Sequence, residues 1–123
     1  MTSRKILVVD DEPFILRSLS FVLQKGKMDV LEARDGEEAL RLIREHRPCL
    51  VFLDVMMPKM NGYDVVRAVR ADPELRDVYI VLLTARGQET DRATGIDAGA
   101  NDYLTKPFSP SKILEKARSI VGV

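Results

Sequence analysis

Short apolar runs alternate along the chain with longer segments whose apolar residues recur every three or four positions. The runs are rich in aliphatic and β-branched residues, which is typical of buried parallel strands. The predicted strands cover residues 5–10, 28–33, 50–54, 79–84 and 103–105. Because a segment with helical spacing follows each strand, the pattern predicts an α/β fold, with a parallel sheet, helices on both faces and right-handed crossovers.

Capping residues locate the ends of most of the predicted helices. The first helix covers residues 13–25, and the proline at its start suits a first turn. The segment Asp35-Gly-Glu-Glu38 has the form of a capping box, with Asp in place of Ser or Thr, and opens the second helix. The third helix ends near Asp72 because the residue before a proline resists the α conformation. Ser109 is a plausible N-cap of the fifth helix.

The fourth predicted helix, roughly residues 88–98, has a thin apolar face. Only Ala93, Ile96 and Ala98 lie on this face, and glycines bracket the segment. Because the helix has so little apolar surface to bury, we expect it to be the most weakly held of the five.

Composition indicates one ordinary globular domain, residues 1–123. Nineteen basic and nineteen acidic residues cancel, so no basic field points to nucleic acid or to an anionic membrane surface. The apolar runs are too short for a transmembrane helix or a signal peptide. The single cysteine, Cys49, permits no internal disulfide, so we expect a cytoplasmic protein without direct contact to nucleic acid or membrane.

Four of the predicted strands end on residues that can bind a metal ion or a phosphoryl group. These residues are Asp10 and Asp11, Asp54, Thr84, and Lys106. The carboxyl ends of parallel strands lie along one edge of the sheet, which is where open α/β sheets bind ligands. The sequence therefore predicts that three carboxylates, a hydroxyl and an ammonium group meet in one place.

These groups are suited to phosphoryl transfer. Clustered carboxylates raise one another's pKa values unless a cation lies among them, and hard oxygen ligands suit Mg²⁺. With one cysteine and one histidine in the chain, a zinc or copper site is not expected. A carboxylate can attack phosphorus to form an aspartyl phosphate, and Lys106 and a metal ion would neutralise the transferred group. Thr84 could then donate a hydrogen bond to that group.

Short motifs at the strand ends and in the following loops identify a family. They are Ile6-Leu-Val-Val-Asp-Asp-Glu-Pro13, Leu53-Asp-Val-Met-Met-Pro58, Asn61-Gly62, Leu83-Thr-Ala85, Gly99-Ala-Asn-Asp-Tyr103 and Thr105-Lys-Pro-Phe108. Together they closely resemble the receiver domain of two-component response regulators, the chemotaxis-Y-like fold. The resemblance covers almost the whole chain. It implies a flavodoxin-like, doubly wound sheet of five parallel strands in the order 2-1-3-4-5, with five helices.

The resemblance also assigns roles at the predicted strand ends. Asp54 resembles the phospho-acceptor, and Asp10 and Asp11 resemble the acidic pair that holds Mg²⁺, for which Mn²⁺ is an alternative. Asp11 would be the more direct ligand of the two. The backbone carbonyl of Met56 would be a further ligand, and Lys106 resembles the phosphate-binding lysine.

Other positions resemble the parts of the family's switch. Thr84 corresponds to the hydroxyl that moves toward the phosphoryl group, and Tyr103 to the aromatic residue that turns inward with it. The surface of the fourth helix, the fifth strand and the fifth helix would then change its partners. Met56 and Arg86 correspond to the positions that control how long the phosphoryl group lasts. The Lys106-Pro107 peptide bond is expected to be cis, as in the family.

The partners implied by the resemblance are a sensor histidine kinase or phosphotransfer protein and an unknown downstream protein or output domain. Receivers attached to winged-helix domains usually dimerise through a glutamate where this chain has Lys112, and its basic partner falls near Thr94. That dimer is not expected here, so the chain would be a monomer or a weak dimer. Whether the sequence is a stand-alone receiver or a piece of a longer regulator stays open.

The expected signalling switch would not be a turnover enzyme. Two other functions are alternatives to it. Taken alone, an acidic residue after a strand is more often a helix cap or part of a solvated turn. A phosphatase with an aspartyl-phosphate intermediate would usually carry its nucleophile in an Asp-x-Asp pattern on the first strand, whereas Asp10 and Asp11 are adjacent. The other alternative is an interaction module that is never phosphorylated.

Overall fold

The computed structural model describes residues 4–85 and 98–121. The strands are β1 (Ile6–Val9), β2 (Val30–Ala33), β3 (Leu50–Asp54), β4 (Tyr79–Ala85) and β5 (Asp102–Lys106). The helices of these residues are α1 (Pro13–Lys25), α2 (Gly36–His46), α3 (Gly62–Arg70) and α4 (Pro110–Val121), with a 3₁₀ turn at Pro73–Leu75. The α4 helix is the fifth helix of the sequence prediction. Apart from Ala98, the predicted helix at residues 88–98 lies outside the described residues, as do Arg86 and Thr94.

The five strands form one sheet in the order β2-β1-β3-β4-β5. Every neighbouring pair is parallel. In the central register, Val9 lies beside Leu53, and Leu53 beside Leu82. The doubly wound, flavodoxin-like fold and the strand order expected from the sequence are therefore confirmed.

Alternate residues of the strands point to opposite faces of the sheet, and each face carries a hydrophobic cluster. One cluster joins Leu7, Val51 and Ile80 to the inner faces of α2 and α3. The other joins residues such as Phe52 and Val81 to α1 and α4. Burial on both faces explains why these strands are continuous apolar runs in the sequence and not alternating ones.

Side-chain caps begin α2 and α3. The Asp35 side chain accepts a hydrogen bond from Glu38 N at 2.8 Å, as predicted. The Glu38 carboxylate instead accepts from Arg34 N at 2.7 Å, one residue earlier than a capping box requires. A full capping box lies at the start of α3, between Asn61 and Asp64.

The β3–α3 loop, residues 55–61, closes tightly against the end of β3. Gly62 N donates a hydrogen bond of 2.9 Å to the Val55 carbonyl. A Cβ atom on Gly62 would lie 2.6 Å from the Asp54 carbonyl oxygen, which is closer than real Cβ atoms approach. A glycine at this position therefore permits the loop to begin and end beside Asp54.

Candidate functional site

Strand ends far apart in the sequence bring an acidic cluster together. One carboxylate oxygen from each of Asp10, Asp11 and Asp54 lies within 4.8 Å of the others. Asp10 is 1% exposed and Asp54 is 6% exposed, whereas Asp11 faces solvent. Because β1 and β3 are adjacent and parallel, the residues that follow Val9 and Leu53 come out at the same edge. The predicted meeting of the three carboxylates is confirmed.

Lys106 is the last residue of the edge strand β5, and its side chain extends into this cluster. Its Nζ atom donates hydrogen bonds of 2.8 Å to Asp10 Oδ2 and 3.3 Å to Asp54 Oδ1. Burial alone would lower the pKa of the lysine, but its hydrogen bond to Asp10 and the charges of both carboxylates raise that pKa above its ordinary value. Lys106 is therefore an ammonium ion throughout the physiological range. The Lys106-Pro107 peptide bond is cis, as the family resemblance implies.

The surroundings of Asp54 disfavour the charged form of its carboxyl group. Burial is the main cause that raises its pKa to about 6, and the negative charge of Asp10 adds to the effect. Lys106 opposes the shift through its charge and its hydrogen bond, but does not cancel it. The carboxylate is thus mostly ionised at neutral pH and incompletely neutralised by its protein partners. A further cation near it would lower the free energy of the charged form.

The donor set fits a hard divalent cation. Both oxygens of Asp10 are already engaged, since Oδ1 accepts from Glu12 N at 2.9 Å and Oδ2 accepts from Lys106. Asp11 and Asp54 are therefore the carboxylates better placed to bind an ion directly. A set of oxygen ligands with one solvent-facing carboxylate suits Mg²⁺, which keeps several waters and takes few protein ligands.

Thr84 and Tyr103 lie on the two strands at the other side of the site. The Thr84 side chain is 3% exposed, and its hydroxyl donates a long hydrogen bond of 3.5 Å to the Leu104 carbonyl. Because this hydrogen bond is weak, the hydroxyl can turn toward another acceptor at a small cost in free energy. Tyr103 is half-buried and packs against the cluster on the α2 and α3 side of the sheet.

Met56 lies two residues after Asp54, and its side chain is 62% exposed. By contrast, Met57 and Met60 pack against the hydrophobic core and anchor the loop. The Met56 side chain is therefore not part of the hydrophobic core, unlike those of Met57 and Met60.

One contact beside the site has no counterpart in the sequence prediction. Gly36, in the first turn of α2, packs against the backbone of Met60 in the β3–α3 loop. The indication of this contact in the sequence is a glycine directly after the helix N-cap, at a position where most other residues would favour the helix more strongly.

The sequence as a whole decides the family. A family model of the response regulator receiver domain matches residues 6–118. The chain belongs to this family. Receiver domains bind Mg²⁺ at an acidic pocket and are generally not turnover enzymes, and this receiver has a cluster of three aspartates at the corresponding edge of its sheet.

Curated relatives of this receiver are transcriptional regulators. The probable transcriptional regulator ycf27 of Porphyridium aerugineum is 46% identical over 121 residues, which are 98% of this chain and 49% of that protein. The alkaline phosphatase synthesis transcriptional regulatory protein PhoP of Bacillus subtilis is 41% identical over 119 residues, 97% of this chain and 49% of that protein. The chain thus spans about half the length of these relatives.

Solved structures of response regulators share this fold. A putative response regulator from Chloroflexus aurantiacus superposes with a TM-score of 0.91 at 34% identity, over 99% of this chain and 100% of that one. The chemotaxis response regulator CheY4 of Vibrio cholerae gives a TM-score of 0.88 at 34% identity, over 97% of this chain and 99% of that one. Within the described residues of this receiver, no helix has the length and apolar character needed to cross a membrane.

Proposed function

We propose that residues 1–123 form a single receiver domain that takes a phosphoryl group onto Asp54 from the phosphohistidine of a sensor kinase or phosphotransfer protein. The observation that carries this proposal is the position of Asp54. It is a buried carboxylate with a pKa of about 6, within 3.3 Å of an ammonium group and beside two further carboxylates. No other aspartate among the described residues combines these surroundings.

In the proposed transfer, a carboxylate oxygen of Asp54 forms a bond to phosphorus while the bond from phosphorus to the donor's imidazole nitrogen breaks. The imidazole leaves with the electron pair of that bond. Since the pKa of Asp54 is about 6, most of the protein carries the nucleophilic form at neutral pH. Lys106 can follow the negative charge from Asp54 onto the transferred oxygens through a small movement of its Nζ atom.

Asp11, Asp54 and the backbone carbonyl of Met56 would hold Mg²⁺, with Asp10 orienting the set through its bonds to Lys106 and Glu12 N. When bound, the ion supplies positive charge against the phosphoryl oxygens. Mn²⁺, which also takes oxygen ligands, would serve as an alternative.

Phosphorylation would be read out through Thr84 and Tyr103. A phosphoryl group brings close to two negative charges and strong acceptors to Asp54. The Thr84 hydroxyl would exchange its long bond to Leu104 for a bond to this group, and Tyr103 would fill the space behind it. The surface formed by β5, α4 and the predicted helix at residues 88–98 would then present a different face to a downstream protein or output domain.

The proposed domain acts in the cytoplasm as a monomer or weak dimer, without direct contact to nucleic acid or membrane. It assists its own phosphorylation and a slow hydrolysis of the phosphoryl group, and it does not turn over a substrate. The phosphohistidine and the hydrolysing water are the only reactants that this cycle needs.

Intact mass spectrometry after incubation with acetyl phosphate and Mg²⁺ tests the proposal. We expect the mass of one added phosphoryl group, its absence in Asp54→Ala, and its retention in Asp77→Asn, which changes an exposed aspartate. An unmodified wild-type protein would favour an interaction module. Sustained phosphate release from p-nitrophenyl phosphate would favour a phosphatase.

A further inference from the structure

The β3–α3 loop is held at two places, and one of them belongs to another helix. Its base is closed by Gly62, which lies against the Asp54 and Val55 backbone. Its far end rests on the first turn of α2. The position of the loop beside Asp54 therefore depends on residues that follow β2 and are not part of the site.

The contact with α2 is made by backbone at its closest point. A Cβ atom on Gly36 would lie 2.1 Å from the Met60 carbonyl oxygen and 2.7 Å from Met60 Cβ. Real Cβ atoms almost never approach other atoms closer than 3.0 Å. Because the obstacle is a carbonyl group and not the end of a side chain, it cannot rotate away. Any side chain at position 36 would therefore displace the backbone of the β3–α3 loop.

Charges support the same contact. Lys59 Nζ lies 3.8 Å from Asp35 Oδ2 and 4.0 Å from Glu37 Oε2, so carboxylates on both sides of Gly36 face one lysine of the loop. Lys59 has a φ of 68°, a left-handed conformation that a non-glycine residue adopts at a cost. Docking of the loop on α2 offsets that cost.

We propose that Gly36 is a positioning residue for metal binding at Asp54. By permitting the loop to dock on α2, it would hold the loop, and with it the Met56 carbonyl that is proposed as a ligand, beside Asp54. The inference rests on the proposed function, because it takes the cluster to be the Mg²⁺ site of the phosphorylation reaction. It adds a residue that touches neither the ion nor the phosphoryl group, on an element outside the cluster.

The variant Gly36→Ala tests this, and Gly26→Ala is its matched control. A Cβ atom on Gly26 would also be too close to a neighbour, at 2.5 Å from Leu114 Cδ1. That neighbour is the flexible end of a side chain between α1 and α4, far from the β3–α3 loop. Both variants should lose some stability toward urea, but only one of them disturbs the loop.

Mg²⁺ affinity is the deciding measurement, obtained from amide NMR shifts during titration with MgCl₂. We expect binding about tenfold weaker in Gly36→Ala, as is typical when a group that supports a metal ligand is changed. Gly26→Ala should bind Mg²⁺ as the wild type does. Equal affinity in wild type and Gly36→Ala, with both folded, would overturn the inference, as would a wild type that binds no Mg²⁺.

Two further readouts keep the inference separate from stability and from the proposed function. In the wild type, the Gly36 amide should shift with the same apparent affinity as the Met60 amide, and a silent Gly36 would contradict the contact even if the alanine variant does not fold. Failure of acetyl phosphate to modify wild-type Asp54 would refute the proposed function by itself. It would leave the ratio of Mg²⁺ affinities as an independent result.

Discussion

Lys106 donates a hydrogen bond of 2.8 Å to Asp10, ninety-six positions earlier in the chain. Lys106 is the last residue of β5, and Asp10 follows β1. Because β3 lies between these two strands, the Lys106 ammonium group also lies within 3.3 Å of Asp54 Oδ1, at the end of β3. Without this lysine, none of the positive side chains that the structure describes would pair with the two buried carboxylates. The same interaction therefore contributes to stability and prepares the site for a phosphoryl group.

Replacing Lys106 with Met should destabilise the protein in metal-free buffer. Removing one partner from a buried ion pair usually costs several kcal/mol, and we expect about 2–3 kcal/mol because the Lys106 side chain is 21% exposed. Urea unfolding measures the loss. Lys112→Met, at an exposed position on α4, should change stability by less than about 0.5 kcal/mol. Equal effects of the two variants would show that the buried pair contributes nothing.

Asp54→Asn should be more stable than the wild type in metal-free buffer, and increasingly so as the pH rises. The folded protein raises the pKa of Asp54 from 3.8 to about 6, so the folded state binds more protons than the unfolded state between these values. Wild-type stability from this group therefore falls as the pH increases through that window and levels off above it. Asparagine does not titrate and avoids the loss.

The expected gain from Asp54→Asn is about 2–3 kcal/mol above pH 7, at about 1.4 kcal/mol per pKa unit. Near pH 4 the variant and the wild type should differ little. Urea unfolding at several pH values, with EDTA present, gives the curve, and Asp77→Asn is the control at an exposed aspartate. A difference that does not change with pH would contradict the raised pKa.

Replacing Met56 with Asn should shorten the lifetime of the phosphoryl group severalfold. A thioether cannot polarise water, whereas an amide can orient a water molecule toward phosphorus. The lifetime is measured by intact mass after acetyl phosphate has been removed. Phe21→Asn, at a similarly exposed position on α1, should decay as the wild type does. If Met56→Asn also matched the wild type, this role of Met56 would be refuted.

Thr84→Ala should still accept a phosphoryl group from acetyl phosphate but should fail to transmit it to Tyr103. The variant leaves Asp54, Lys106 and the carboxylate pair in place and removes the hydroxyl together with the γ-methyl group of the threonine. NMR resonances of Tyr103, compared before and after phosphorylation, should shift in the wild type and much less in the variant. Thr105→Ala, beside Thr84 on β5, controls for loss of a strand threonine. If the Tyr103 resonances shifted as much in Thr84→Ala as in the wild type, the Thr84 hydroxyl would not be required for the response of Tyr103.

The strands and the residues at their ends could be predicted from the sequence, because burial on both faces makes a parallel strand a continuous apolar run. The cluster of Asp10, Asp54 and Lys106 followed from the geometry of parallel strands alone. The buried face of α1 is harder to predict from the sequence. Apolar spacing in residues 13–25 favours an inner face with Ile15, Leu19, Val22 and Leu23, but Ile15 and Val22 are half-buried in the structure, while Leu16 and Ser20 are buried. Helical spacing gives a face only to within one residue.

Contacts made by backbone could not be predicted. Nothing in the apolar pattern indicates that Gly36 lies against the Met60 carbonyl, since this contact depends on how α2 and the β3–α3 loop are oriented. The same is true of Arg70, whose guanidinium donates hydrogen bonds of 2.7 Å to the Gly99 carbonyl and 2.6 Å to the Asn101 side chain. A charged residue near a helix end looks solvated in sequence, and only the fold reveals its acceptors.

The sheet order has a consequence for newly made protein. The carboxylates and the lysine come from β1, β3 and β5, and the last of them is residue 106. A nascent chain on the ribosome has its aspartates early, but it has no complete site until β5 has emerged and paired with β4. Under the proposed function, a phosphoryl donor that requires the complete site would therefore leave unfinished chains unmodified.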